Sequence, residues 1–133
     1  MTMNTNELIN YFEKEYNEKI NQFDCYTWDT ISKTKKIKLT EEFIEKYQNK
    51  LNFTWLSVCQ VLSEKIIKKH KSQISWYYVI THQNLSGNFI HKSKKYFKIK
   101  DLSKQNKINY LQYQIKNNII SNEEYLKEIL KLK

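Results

Sequence analysis

The sequence predicts an all-α protein, a short α-solenoid-like stack of two-helix repeats with an N-terminal and a C-terminal capping helix. Three observations lead there. The 133 residues include one glycine and no proline, so the tight hairpins of a sandwich or barrel, which need residues that accept φ > 0, lack their usual material. A 23-residue period runs from Leu39 to Lys107, and such periods mark repeat architectures. The segments on either side carry helix caps followed by apolar residues at helical spacing.

Residues 4–21 form the first candidate helix. Asn4 and Glu7 have the spacing of a capping box, and Leu8, Phe12, Tyr16 and Ile20 recur every fourth residue. Residues 1–30 make up this acidic N-terminal capping region. At its end, Trp28 to Ser32 carries the same aromatic-x-x-aliphatic-Ser pattern as Phe53 to Ser57.

The repeats occupy residues 31–107. Three 23-residue strings start at Leu39, Leu62 and Leu85, and each continues with a good N-cap, Thr40, Ser63 and Ser86. Apolar columns come next: Phe43, Ile66 and Phe89; Ile44, Ile67 and Ile90; Leu51, Ile74 and Phe97; Phe53, Trp76 and Ile99; Leu56, Val79 and Leu102. Gln60, Gln83 and Asn106 close the set. The first helix of a unit places Phe43, Ile44, Tyr47 and Leu51 on one face, with Glu41 and Glu42 where the helix dipole favours acids. A second, shorter helix starts near Phe53. A helix pair this short buries no apolar face alone, whereas stacked neighbours bury a continuous one. The alternative is a compact helical bundle with fortuitous internal similarity.

Residues 108–133 are the C-terminal capping region. Ile108 falls one period after Leu85, and Asn109 is a candidate cap for a further helix. Asn122 then precedes Glu123, Glu124 and the apolar set Tyr125, Leu126, Ile129 and Leu130, a closing helix that ends in Lys131 and Lys133. The whole chain is expected to be one domain.

The string L-[ST]-E-x-[FI]-I-x-K, followed by aromatics and Gln-x-Leu-Ser, is best preserved in Leu39 to Leu51 and Leu62 to Ser86. It resembles a short helical repeat found in proteins of giant viruses, phages and some AT-rich bacteria. The third unit departs from it, with Gly87 and Asn88 at the acidic start and Ile99 at the aromatic position. The resemblance covers about half the chain and carries no catalytic residue. It implies helical stacking and a viral or mobile-element origin, and it implies no activity.

Composition excludes several function classes. One glycine leaves no Walker loop, no dinucleotide fingerprint and no glycine-flanked nucleophile elbow. Cys25 and Cys59 stand outside any C-x-x-C pair, so they read as two buried, reduced thiols rather than zinc ligands. No segment has the apolar core of a signal peptide or the about 20 apolar residues of a membrane span, so the expectation is a cytoplasmic protein, in a host cytoplasm if viral.

The net charge of +9 is segregated: residues 1–30 carry −4 and residues 65–107 carry +10. Lys46, Lys69 and Lys92 share one column and form a ladder if the units stack. Glu45, Lys68 and His91 share another column that changes sign, and Glu42 gives way to Lys65 and Asn88. Lys71, Lys94, Lys95, Lys98 and Lys100 add to the stripe. Lysine-rich codons of an AT-rich genome explain abundant lysine on solvated faces, but not the loss of acids from the same units. The functional reading is therefore an anionic partner, either nucleic acid or a nucleic-acid-binding protein complex. With no arginine in the chain, base readout through a planar fork is disfavoured, and contacts would fall on phosphate. In the run Trp76, Tyr77, Tyr78, the tryptophan belongs to the core column, and at least one tyrosine is expected outside, to stack on a base or anchor an interface.

Candidates for catalysis are few. His70 falls in the Tyr47 core column and reads as a packed ring. His82 and His91, with Asn84 between them, faintly resemble a His-Asn-His metal nuclease without its strands or carboxylates. The expectation is a non-enzyme with no catalytic or metal-binding residue, no cofactor and no small-molecule substrate. An inhibitor of host defence, such as an anti-CRISPR protein, fits the size and charge; a protein–protein adaptor with an aromatic face is the alternative, and a metal-dependent nuclease a distant third.

Overall fold

Local capping decides where each helix starts. The computed structural model describes residues 2–133 and is helical throughout, with no strand among the described residues. In α1, Thr5–Tyr16, the Asn4 side chain accepts the Glu7 N–H at 2.9 Å while the Glu7 carboxylate accepts the Asn4 N–H at 3.1 Å, a reciprocal capping box. The helix expected over residues 4–21 stops early, at Tyr16. Asn17 takes the left-handed conformation at φ 50°, closing the helix, and Ile20 begins a separate 3-10 turn whose first N–H is held by the Glu13 carboxylate at 2.8 Å. Asp24 then caps α2, Cys25–Ser32, by accepting the Thr27 N–H.

Thr40, Ser63 and Ser86 cap α3 (Glu41–Lys46), α5 (Glu64–Lys69) and α7 (Gly87–Ser93), accepting the N–H groups of Phe43, Ile66 and Phe89 at 3.1–3.2 Å. These helices start at 23-residue intervals. The intervening α4 (Phe53–Cys59) and α6 (Trp76–His82) keep the same interval. The third unit departs from it. The second helix expected at Ile99 is reduced to a 3-10 turn, Ile99–Asp101, and Ile99 is exposed. The reason is that Ser103 starts a helix at once: its hydroxyl accepts the Asn106 N–H, and its own N–H is held by the Ile80 carbonyl at 3.1 Å. That helix is α8, Lys104–Lys116, so Asn109 is a mid-helix residue and not the expected cap. Its amide instead donates to the Leu85 carbonyl at 2.7 Å and to the Asn84 side chain at 3.0 Å. The last helix, α9, is Asn122–Leu130, capped by Ser121.

Contacts gather into two compact units, Met1–Ile74 and Ser75–Lys133. The core of the first holds Leu8, Phe12, Ile31, Phe43, Ile44, Leu56 and Ile67. Aromatic packing links its helices. Tyr47 lies against Trp28 at 5.0 Å between ring centroids, and His70, 23 residues later, lies against Phe53 at 4.3 Å. The second unit buries Val79, Ile80, Leu85, Ile90, Leu102 and Tyr110. Here the column of Tyr47 and His70 carries the small, buried Ser93, and the ring stacked on Trp76 comes from Tyr96 instead, at 4.8 Å and 7°.

The amide column has a shared job. In the first unit Gln60 accepts the Leu39 N–H at 2.9 Å and donates to the Thr34 and Ile37 carbonyls at 2.7 and 2.9 Å. In the second, Asn106 accepts the Leu85 N–H at 2.9 Å and donates to the Ile80 and Gln83 carbonyls at 2.9 and 2.8 Å. Every partner is shifted by 46 residues, two periods. One buried carboxamide thus satisfies three backbone groups at a chain turn that no regular element serves.

The chain's single glycine has a packing reason. A Cβ on Gly87 would sit 2.3 Å from Tyr113 Cβ and 2.5 Å from the Asn109 carbonyl oxygen, so α7 and α8 approach where only hydrogen fits. The expected pair of buried thiols is corrected: Cys25 is exposed and Cys59 half-buried. Cys25 opens α2, whose inward face belongs to Trp28, Ile31 and Ser32. Among the described residues, no helix is long and apolar enough to cross a membrane.

Candidate functional site

In the first unit, Lys46, Lys65, Lys68, Lys69 and Lys71 are all exposed. They do not carry equal free charge. Lys69, the last residue of α5, makes an ion pair with Glu45. The other Glu45 oxygen meets His70 Nε2 at 2.9 Å, and His70 Nδ1 meets Gln73 Oε1 at 2.8 Å. Hydrogen bonds from Lys69 and His70 hold the Glu45 carboxyl below its ordinary range. Glu45, the acidic member of the column that changes sign, is half-buried and partnered. His70 is buried, as its column predicts. Lys46 reaches over its neighbour Tyr47, with Nζ 6.0 Å from the ring centroid. Lys65 and Lys68 project from α5 with no carboxylate within ion-pair distance among the described residues.

The second unit concentrates the remaining candidates. Lys92, Lys94, Lys95, Lys98 and Lys100 are exposed, and none is in an ion pair among the described residues. Lys92 is on the last turn of α7, Lys94, Lys95 and Lys100 are on the two 3-10 turns after it, Lys94–Tyr96 and Ile99–Asp101, and Lys98 is the extended residue just before the second of these turns. An aromatic cluster sits beneath this run. Trp76 is stacked between Phe89, Tyr96 and Phe97, with centroids 6.3, 4.8 and 5.9 Å away, and Lys95 Nζ lies 5.2 Å from the Tyr96 ring. The turn Ile99–Asp101 packs on α6, which exposes both Tyr77 and Tyr78, with Tyr77 59% accessible. Tyr78 meets Tyr77 edge-on at 5.7 Å.

His91 is placed differently from the lysines around it. It is half-buried, its Nδ1 hydrogen-bonded to the Tyr110 hydroxyl at 3.0 Å and its ring against Tyr113. Burial raises the Tyr110 phenol above its ordinary range. His82 bonds to the Thr81 hydroxyl at 2.8 Å, so the two histidines of the faint nuclease pattern have separate partners. Among the described residues, no three His, Cys, Asp or Glu side chains gather as a metal ion requires.

Two features of this surface escaped the sequence. The Tyr96–Trp76 stack joins residues 20 apart that no column aligns, although an aromatic flanked by lysines at 94, 95 and 98 was the available signal. The neutralisation of Lys69 depends on Glu45, 24 residues away. No protein-family model matches the chain, and comparison with curated proteins and with solved structures gives no match.

Proposed function

We propose that this chain is a non-enzymatic binding protein that uses the lysine run of residues 92–100, flanked by Tyr77, Tyr78 and Tyr96, to engage nucleic acid, alone or within a nucleoprotein machine. The scaffold is read as a short α-solenoid-like stack of two-helix repeats, a reading supported by the 23-residue spacing of helix starts and the matched carboxamide clips. One observation carries the function: five exposed lysines in nine residues, none in an ion pair among the described residues, beside exposed aromatic rings. Ammonium groups on flexible stems suit phosphate oxygens, and tyrosine rings suit bases without regard to sequence. The reading assigns no reaction, because His70 is enclosed and His91 is engaged with Tyr110. An inhibitor of a host nucleic-acid-guided defence, of viral or mobile-element origin, is the specific form this proposal takes.

The test replaces Lys92, Lys95, Lys98 and Lys100 with Glu and measures binding to labelled oligonucleotides by fluorescence anisotropy across a salt series. The expected result is loss of binding with unchanged helical circular dichroism. For the unaltered chain, log affinity should fall with log salt by about 0.7 to 0.9 per phosphate contacted. Flat salt dependence, or equal binding by the reversed variant, overturns the proposal. Capture of a host protein that survives both nuclease treatment and charge reversal would assign the exposed tyrosines to a protein–protein adaptor instead.

A further inference from the structure

We infer that α9 is a self-association surface whose partner is α9 of a second copy of this chain, packed antiparallel. A nine-residue helix is marginal in water and relies on burial for most of its stability, yet no α9 residue is buried. Its inner side packs on α8, with Tyr125 and Ile129 half-covered. One turn apart on its outer side, Leu126 and Leu130 are 57% and 63% exposed, and Ile119, just before the helix, is 46% exposed. Two leucines at i and i+4 form the seam along which helices pair.

Charge selects both the occupant and its direction. Glu123 and Glu124 open the helix, and Lys131 and Lys133 lie just past its end. In the antiparallel register that sets Leu126 against Leu130 of a second copy, the acidic start of each helix falls beside the basic end of the other. Parallel pairing would bring like charges together. Lys131 also bonds to Glu128 at 3.0 Å, which leaves Lys133 as the more open cation. The wider charge distribution agrees. Residues 122–133 hold three acids and three lysines, while residues 75–121 carry eight lysines and one acid, Asp101. Two copies that meet through α9 bring together the electrically neutral part of a strongly basic unit. The two-fold symmetry makes the contact isologous, so it closes at a dimer.

The experiment is size-exclusion chromatography with light scattering, from about 10 to 500 µM, the range in which a contact this small is measurable. The unaltered chain should rise with concentration from 16.3 kDa toward twice that mass. Glu123→Lys with Glu124→Lys, and separately Lys131→Glu with Lys133→Glu, should each stay at one chain mass. An equimolar mixture of these two variants should restore the dimer. Leu126→Glu with Leu130→Glu should stay monomeric with its helical signal retained. A single-chain mass at every concentration overturns the inference, as does dimerisation that all variants share.

Discussion

Replacing Asn106 with Leu tests the carboxamide clip directly. The two side chains branch alike at Cγ, so the change removes hydrogen bonds with little change of shape. Asn106 is fully buried, at 0% exposure. Its loss strips the Leu85 N–H of the side-chain oxygen that holds it, at a cost of about 1–3 kcal/mol for an unsatisfied buried donor. The Ile80 carbonyl keeps the Ser103 N–H at 3.1 Å, so its lost bond costs less, and the lost bonds to the Ile80 and Gln83 carbonyls each cost the net value of an ordinary hydrogen bond, about 0.5–1.5 kcal/mol. Leucine returns about 0.5 kcal/mol as the better helix former in α8. The expected net loss is about 1.5–5.5 kcal/mol, read by urea denaturation and by hydrogen exchange at the Leu85 amide. Asn106→Asp should make the stability of the clip depend on pH. Its carboxylate keeps the acceptor for Leu85 but faces two carbonyls, and both those carbonyls and burial favour the protonated form. The folded pKa of this Asp is then raised, so its stability should be highest below about pH 3.9 and fall as pH rises through the folded value. A loss under about 0.5 kcal/mol in the leucine variant, with the Leu85 amide still protected, would show that the carboxamide does not hold this turn.

The same packing sets two further outcomes. Gly87→Ala forces a Cβ to within 2.3 Å of Tyr113 and 2.5 Å of the Asn109 carbonyl, and overpacking costs about 1–3 kcal/mol against about 1 kcal/mol of regained helix propensity. A fall in thermal midpoint is expected, and an unchanged or higher midpoint would show that α7 and α8 stand further apart. The carboxyl of Glu45 is held below its ordinary value of 4.5, so its contribution to stability is complete above that pH and is lost as pH falls through the folded value. Glu45→Gln should cost about 1–2 kcal/mol at pH 7 and flatten the acid limb of the stability curve; an acid limb of the same slope in both proteins would exclude this linkage.

What the sequence determined by itself is local. Helix starts depend on one side-chain oxygen and an N–H three residues on, and Asn4, Thr40, Ser63 and Ser86 all cap where the sequence predicts. The period has the same origin, because columns such as Ile44, Ile67 and Ile90 are apolar at positions that each unit buries. Tertiary structure decided whatever depends on distant partners. Asn17 stops α1 although the four-residue apolar period continues to Ile20, because a left-handed residue and the Glu13 carboxylate end the helix more favourably than a further turn. The column of Gln60 and Asn106 is visible in the sequence, but its role is not, since each amide binds backbone 21 to 26 residues away. Gly87 looks like a departure from the acidic start of its unit until α8 is seen against it. The lysines illustrate the same division. Their number and segregation are properties of the sequence, while the pairing of Lys69 with Glu45 and the open run from Lys92 to Lys100 are set by the fold. A charge is read from the chain, but its neutralisation depends on what folding brings within hydrogen-bonding reach.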